Sequence, residues 1–232
     1  HLSITGACSA EWIPIKPKTD VAFLFAMIHV LLHEHPRSRL DLPFLAKLTA
    51  SPYLVGPNGY YLRERASRKP LVWDGASATA RVHDSPGLQE ALEGAHTVDA
   101  IEIGPDDEVL ADGLLEGRTA FNRLVEHMRP YSPEWAQSIC DVPAATMRRI
   151  ANEFIDHARV GQTIEIDGQT MPYRPVAVTM GKTVNNGWGG FECCWARTVL
   201  ATLVGALEVP GGTIGTTVRL TRPMSHRHES VK

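Results

Sequence analysis

The chain has 232 residues, 44% of them hydrophobic, enough to bury a sizeable core in one large domain or two small ones. Its 23 basic and 26 acidic residues give a formal charge of -3 and are spread along the whole length. That distribution offers no basic face of the kind nucleic acid needs, and nucleic acid is excluded as an expected partner. The longest apolar run, VAFLFAMIHVLL, contains His29 and falls short of the roughly 20 residues of a spanning helix, so it reads as a buried helix and no direct membrane insertion is expected.

Four cysteines, Cys8, Cys140, Cys193 and Cys194, show no CxxC spacing, and neighbours in sequence seldom bond to each other. Neither a disulfide scaffold nor a zinc site follows. The chain opens on His1 and closes on the polar run RPMSHRHESVK, so both ends read as cuts through a longer protein.

In chain order, EWIPI is apolar and β-branched enough for a strand, KPKTD for a loop, and Asp20 to Glu34 for an amphipathic helix ended by Pro36. Asp20 or Thr19 serves as its expected N-cap. From Ser51 to about Glu116 the chain is dense in Pro, Gly and Asp, with short strand candidates PYLV, YYLR, PLVW, VDAIEI and EVL. GRTAFNRLVEHM resumes helical spacing. SPEWAQSIC begins a helix with Ser132 as N-cap and Pro133 at the first turn, and a longer helix from about Pro143 to His157 is assigned Asp141 as its cap.

GQTIEIDGQTMPYRP reads as a hairpin turned at Asp167-Gly168. VAVTM then reads as a buried strand, followed by a Gly- and Asn-rich loop and a helix from Glu192 to Leu207 that VPGGT terminates. Two strand-loop-helix units imply an α/β fold with an open, mainly parallel, Rossmann-like sheet flanked by helices, carrying a loop- and hairpin-rich insertion at about 51–116. In such sheets ligands bind beyond the carboxyl ends of the strands, which directs attention to the two opening loops.

The second loop contains Gly181-Lys182-Thr183, the tail of a phosphate-loop motif. A true phosphate loop has another glycine five positions before the second one, where Val176 stands here, and starts its helix at the Lys. What remains is a loop of small and amide residues, among them Gly181, Asn185 and Asn186, able either to present donors to a polar ligand or to act as a plain connector. The first loop places Lys18 and Asp20 together at a helix start. Lysines there favour an anion and Asp20 repels one, a conflict that a mixed ligand resolves: a guanine edge donates two N–H groups to a carboxylate while Lys18 meets attached phosphates. The alternative is Asp20 as cap and the lysines as solvated charge.

His33-x-His35 at a helix end and His226-x-His228 in a polar tail lack the i, i+4 spacing of a helical metal site, and no metal ligand is assigned. Cys193 and Cys194 are assigned to helix packing.

Taken together, SAEWIPIKPKTDVAFLFAMIHVLL, YSPEWAQSICDVPAATMRRIANEF, VTMG with its Asn/Gly loop, and LVGALEVPGGT resemble the molybdopterin oxidoreductases of the dimethyl sulfoxide reductase type. Within that family the likeness is to thiosulfate, polysulfide or tetrathionate reductases and to phenylacetyl-CoA oxidoreductases. The resemblance implies that residues 1–232 form a central cofactor-binding segment of a larger, molybdenum-dependent enzyme of two-electron redox chemistry. It assigns Lys18, Thr19 and Asp20 to the guanine dinucleotide arm of a molybdenum bis(molybdopterin guanine dinucleotide), and Met180 and Gly181 to the pterin region. Where the family often has a polar pair this chain has Val184 and Asn185, which leaves Asn185 or Asn186 as the expected polar contact. A [4Fe-4S] cluster, the protein ligand to the metal and a further cofactor domain are expected outside the segment, so no catalytic residue is named. The implied partners are the rest of the catalytic subunit, an iron-sulfur electron-transfer subunit, and also a membrane anchor subunit, in a bacterial or archaeal membrane-associated complex. A scaffold of the same fold that has lost cofactor binding, and an NTP-hydrolysing enzyme dependent on Lys182, are the rival readings.

Overall fold

The computed structural model describes residues 4–181, 184 and 189–213. Among these are seven α-helices: α1 Ile4–Cys8, α2 Asp20–His29, α3 Leu42–Leu48, α4 Ala120–Met128, α5 Pro133–Cys140, α6 Ala144–His157 and α7 Gly190–Leu203. The central element is α2. It packs against α4, α5, α6 and α7, and a helix apolar on most sides, as DVAFLFAMIH is, can satisfy its surface only in that way. Ala22 and Ala26, fully buried, let α5 approach with Ala136 and Cys140, while Leu24, Met27 and Ile28 enter the main core with Phe121, Ile155 and Leu200.

The expected helix to Glu34 has the right extent but changes form. A π-helical turn occupies Val30–Glu34, and His35 leaves in an extended conformation ahead of Pro36. His29 and His33 lie along this join. The His29 Nδ1 and His33 Nε2 atoms pair with the carbonyls of Met128 and Val125 at 3.0 and 2.9 Å, which satisfies acceptors at the end of α4 that the helix itself leaves open.

Capping follows the sequence at α5, where Ser132 accepts from the Trp135 N–H at 3.3 Å with Pro133 in the first turn. It departs at α6. Asp141 ends α5 in a left-handed conformation with φ 62°, and the first-turn N–H of Ala144 donates instead to Gln137 Oε1 at 2.7 Å. A residue committed to one helix end cannot cap the next.

The sheet corrects the expected topology. Four strands, β1 Leu54–Val55, β2 Leu62–Arg63, β5 Ala95–Ile103 and β6 Val109–Thr119, pair in the order β1-β6-β5-β2, every pair antiparallel. Two further hairpins form, β3 Leu71–Asp74 with β4 Thr79–Val82, and β7 Thr163–Ile166 with β8 Gln169–Pro172. The last turns at Asp167 and Gly168, both at positive φ, as its sequence indicates. The strand-rich region is therefore the middle of the chain, where short segments find partners close in sequence.

EWIPI and VAVTM form no strand and no parallel sheet among the described residues. Both have strand-like residues, but a ladder needs a neighbouring backbone, and each segment lies against helices instead. Ile13 and Ile15 pack on the small core of α2, α5 and α6, and Val176, Val178 and Met180 on the main core. The fold is mixed α/β with an antiparallel sheet, not an open parallel one.

Candidate functional site

The first loop is shaped by three consecutive residues. Lys18 adopts a left-handed backbone conformation, φ 66°, uncommon for a residue with a Cβ. Thr19 closes the turn by donating its hydroxyl to the Lys16 carbonyl at 2.6 Å, and its own carbonyl accepts from the Ala22 N–H at 3.0 Å. Thr19 is thus the N-cap position of α2 without a capping side chain, and Asp20 is the first helical residue. Among the described residues no group donates a hydrogen bond to the Asp20 carboxylate, which stands at the positive end of α2.

The second loop starts from a segment held by one arginine. Arg174 is buried, and its guanidinium donates to Asp41 Oδ2 at 2.7 Å, to the Val204 carbonyl at 3.1 Å and to the Gln162 carbonyl at 2.9 Å. Its backbone N–H donates to the Pro210 carbonyl at 3.1 Å. One side chain therefore ties the start of the 174–181 segment to the N-cap of α3, to the end of α7 and to the turn after α6. Sequence reasoning missed this residue. The available signal was an arginine set between Pro172 and Pro175 in an apolar stretch.

Beyond the clamp, Val178, Met180 and Gly181 meet Ile15, Asp20 and Leu24 around a cavity of ≈ 180 Å³, with Val184 also on its wall. Of the sequence-derived candidates, Asp20, Met180 and Gly181 are brought together here. Lys18 and Thr19 sit in the adjoining turn, and Asn185 and Asn186 lie outside the described residues. Lys182 and Thr183 do as well.

The start of α7 closes on the same region. Gly189 caps it at φ 74°, and a Cβ built there would stand 3.8 Å from Val21 Cγ1. Cys193, buried in the first turns of α7, has its thiol pushed up to about 11 by burial first and by the charge of Asp20 second. It is a neutral packing group. Cys194 is exposed, contrary to the expectation that both cysteines pack inward; on a helix, consecutive residues point about 100° apart.

Among the described residues no group of three or more His, Cys, Asp or Glu side chains could hold a metal ion. The His33 and His35 pair diverges, His35 Nε2 meeting Asn152 Oδ1 at 2.7 Å while His33 meets Val125. His226 and His228 lie outside the described residues.

A small cleft flanked by two helix starts, with one unengaged carboxylate and a nearby lysine, has the make-up of a site for a polar ligand bearing both donors and anionic groups. Comparison with known proteins narrows the class. No protein-family model matches the chain. It is 29% identical over 231 residues to a sulfite dehydrogenase subunit of Allochromatium vinosum, covering 89% of this chain and 22% of that protein. It is 23% identical over 201 residues to the alpha subunit of chlorate reductase from Ideonella dechloratans, covering 84% and 20%. With the alpha subunit of respiratory nitrate reductase from Haloferax mediterranei it shares 21% identity over 223 residues, 90% and 21% of the two chains. The chain is thus similar to subunits of a sulfite dehydrogenase, a chlorate reductase and a nitrate reductase, in keeping with the resemblance to molybdopterin oxidoreductases of the dimethyl sulfoxide reductase type. It spans about a fifth of the length of the curated relatives it matches.

Proposed function

We propose that the chain is a central α/β segment of the catalytic subunit of a molybdenum-dependent oxidoreductase, and that its two loops hold part of a molybdenum bis(molybdopterin guanine dinucleotide). The observation that carries this reading is the meeting of Asp20 with Met180 and Gly181 around one cavity, from loops far apart in sequence.

The chemistry of the donor set fits the group. A carboxylate with unengaged lone pairs, standing at a helix start, accepts the paired N–H donors of a guanine edge. Lys18, exposed on a turn beside it, answers the pyrophosphate without placing Asp20 against a phosphate. Val178 and Met180 offer an apolar wall to the face of a ring system, and Asn185 and Asn186 are proposed as its polar contacts. When bound, the molybdenum centre supplies two-electron redox chemistry. The residues of this chain bind and orient.

The relatives carry sulfite, chlorate and nitrate in their names. On this reading the stretch supplies a frame for the cofactor, with substrate choice made elsewhere in the polypeptide. The metal ligand and a [4Fe-4S] cluster then belong to parts of the longer subunit outside residues 1–232, and an iron-sulfur subunit with its membrane anchor completes the proposed complex.

Asp20→Ala in the full-length enzyme tests the assignment. Molybdenum per mole of protein falls while the thermal unfolding midpoint of the apoprotein stays put. Unchanged metal content together with unchanged activity would sink the role of Asp20. GDP titration of the apoenzyme supplies a second readout, binding that weakens in the variant; the alternative of a scaffold without cofactor binding corresponds to no GDP binding in either protein.

A further inference from the structure

The outward face of α6 is dressed for water. On α6 the exposed side carries Arg148 paired with Glu34 and Glu134, and Arg149 paired with Glu11 and Glu153. The outward side of α7 is different. Phe191 is 80% exposed and Trp195 36%, four residues apart, and Thr198 and Thr202 continue the same stripe. The helix GFECCWARTVLATL has only Glu192 and Arg197 as charged residues in 14, while its inward side, Cys193, Ala196, Leu200 and Leu203, is already buried in the main core. A helix apolar on all sides is an interior helix.

The stripe borders a groove of ≈ 270 Å³ between α3, α4 and α7, walled by Leu45, Phe121, Leu124, Trp195 and Val199, with no charged residue in its lining. Leu48, 72% exposed at the end of α3, extends the apolar surface. Single exposed apolar residues are ordinary, but a continuous uncharged groove with two aromatic residues along it is an interaction surface.

We infer that the outward face of α7, with the groove beside it, is an internal interface of the full-length subunit, covered by another part of the same polypeptide through an apolar, uncharged segment. The length of the relatives selects this occupant: about four-fifths of each lies outside the aligned stretch, and a segment of that size must bury its faces against its own neighbours. The inference rests on the reading of the chain as one segment of a longer subunit and is independent of the cofactor assignment.

Cys194 is exposed on α7 between Phe191 and Trp195 and reports on this face. In the intact full-length subunit, native alkylation of Cys194 by a small maleimide is slowed about ten-fold or more relative to the urea-unfolded protein, since thiol reactivity follows access. That protection persists when the subunit is diluted and freed of its partner subunits. Labelling as fast as in the unfolded protein overturns the inference, and so does protection lost on dilution or on subunit removal, which assigns the face to a second copy or to a partner. Trp195→Ser in the full-length subunit raises Cys194 labelling, whereas Leu114→Ser, at a residue 76% exposed on β6, leaves it unchanged. Molybdenum content plays no part in the readout, so loss of the cofactor assignment and loss of this interface are told apart.

Discussion

Arg174 and Asp41 stand 133 positions apart in the sequence and 2.7 Å apart in the fold, Nη2 to Oδ2, with both side chains buried. The pair joins the start of the site-bearing 174–181 segment to the first turn of α3, where Asp41 also accepts from the Phe44 N–H at 3.2 Å. Removing one member leaves the other charge buried without compensation, which costs about 3–5 kcal/mol. Arg174→Met is therefore expected to lower the unfolding free energy by that order, read as a lower urea midpoint. Arg174→Lys recovers little, because an ammonium cannot serve Asp41 and the Val204, Gln162 and Tyr173 carbonyls with one planar fork. Urea unfolding of the two variants measures this, and a lysine variant as stable as the parent would refute the geometric argument.

Gly205 supports the same pair from below. Its φ is 67°, and a Cβ would lie 2.4 Å from Asp41 Oδ2. Gly205→Ala combines left-handed strain of about 1 kcal/mol with displacement of the Asp41 carboxylate. Gly59, at φ 90° with nothing within 4 Å of an added Cβ, carries backbone strain alone. The expected order of unfolding midpoints is parent, Gly59→Ala, then Gly205→Ala; equal losses at the two glycines would count against the contact with Asp41.

Acid below the ordinary histidine range should act on the α2–α4 join, as it should at His96, whose pKa burial also lowers. His33 has its pKa lowered from an ordinary 6.5, chiefly by burial, with His29, Arg129 and Arg37 adding repulsion and the bond to Val125 opposing. Because the unfolded chain binds the proton more readily than the folded one, stability from this residue is present above pH 6.5 and is lost as pH falls through the folded value. His33→Gln, which keeps a donor within reach of the Val125 carbonyl, flattens the pH dependence below 6.5. Asp74 adds a second acid window lower down: its carboxylate, held far below the ordinary 3.8 by Ser77 and by the Gln89 and Ala76 N–H groups, loses its contribution only in strong acid. Thermal midpoints across pH separate the two.

Cys193 should be nearly inert to alkylation at neutral pH, with a reactivity midpoint toward about 11. Burial is the larger cause and Asp20 the smaller, so Asp20→Asn lowers that midpoint without restoring the ordinary 9.0. Rates of iodoacetamide labelling by mass spectrometry against pH give the answer. A midpoint at the ordinary value in the parent chain would mean that Cys193 is open to solvent.

Much of the helical frame was legible in the sequence because its signals are local. Ser132 with Pro133, the spacing over residues 144–157 and the Asp167-Gly168 turn each depend on contacts within a few residues, and each stands as read. The sheet was not legible, for pairing is a relation between backbones. EWIPI and VAVTM have strand-forming residues and no strand beside them, while AHTVDAIEI and VLADGLLEGRT pair over nine positions. Caps were misread where one residue could serve two ends, as with Asp141 and Gln137.

By itself the sequence determined the balanced charge, the helices with local start signals, the resemblance to molybdopterin oxidoreductase catalytic subunits, and the residue types at Lys18, Thr19, Asp20, Met180 and Gly181. The tertiary structure decided that Asp20, Met180 and Gly181 share one cavity, that Arg174 rather than a sheet anchors the start of the 174–181 segment, and that α7 keeps an apolar face outward. The reason is physical: helix starts and turns are set by neighbours a few residues away, whereas burial, ion pairing and strand partnership are set by which distant segments the packed core brings into contact.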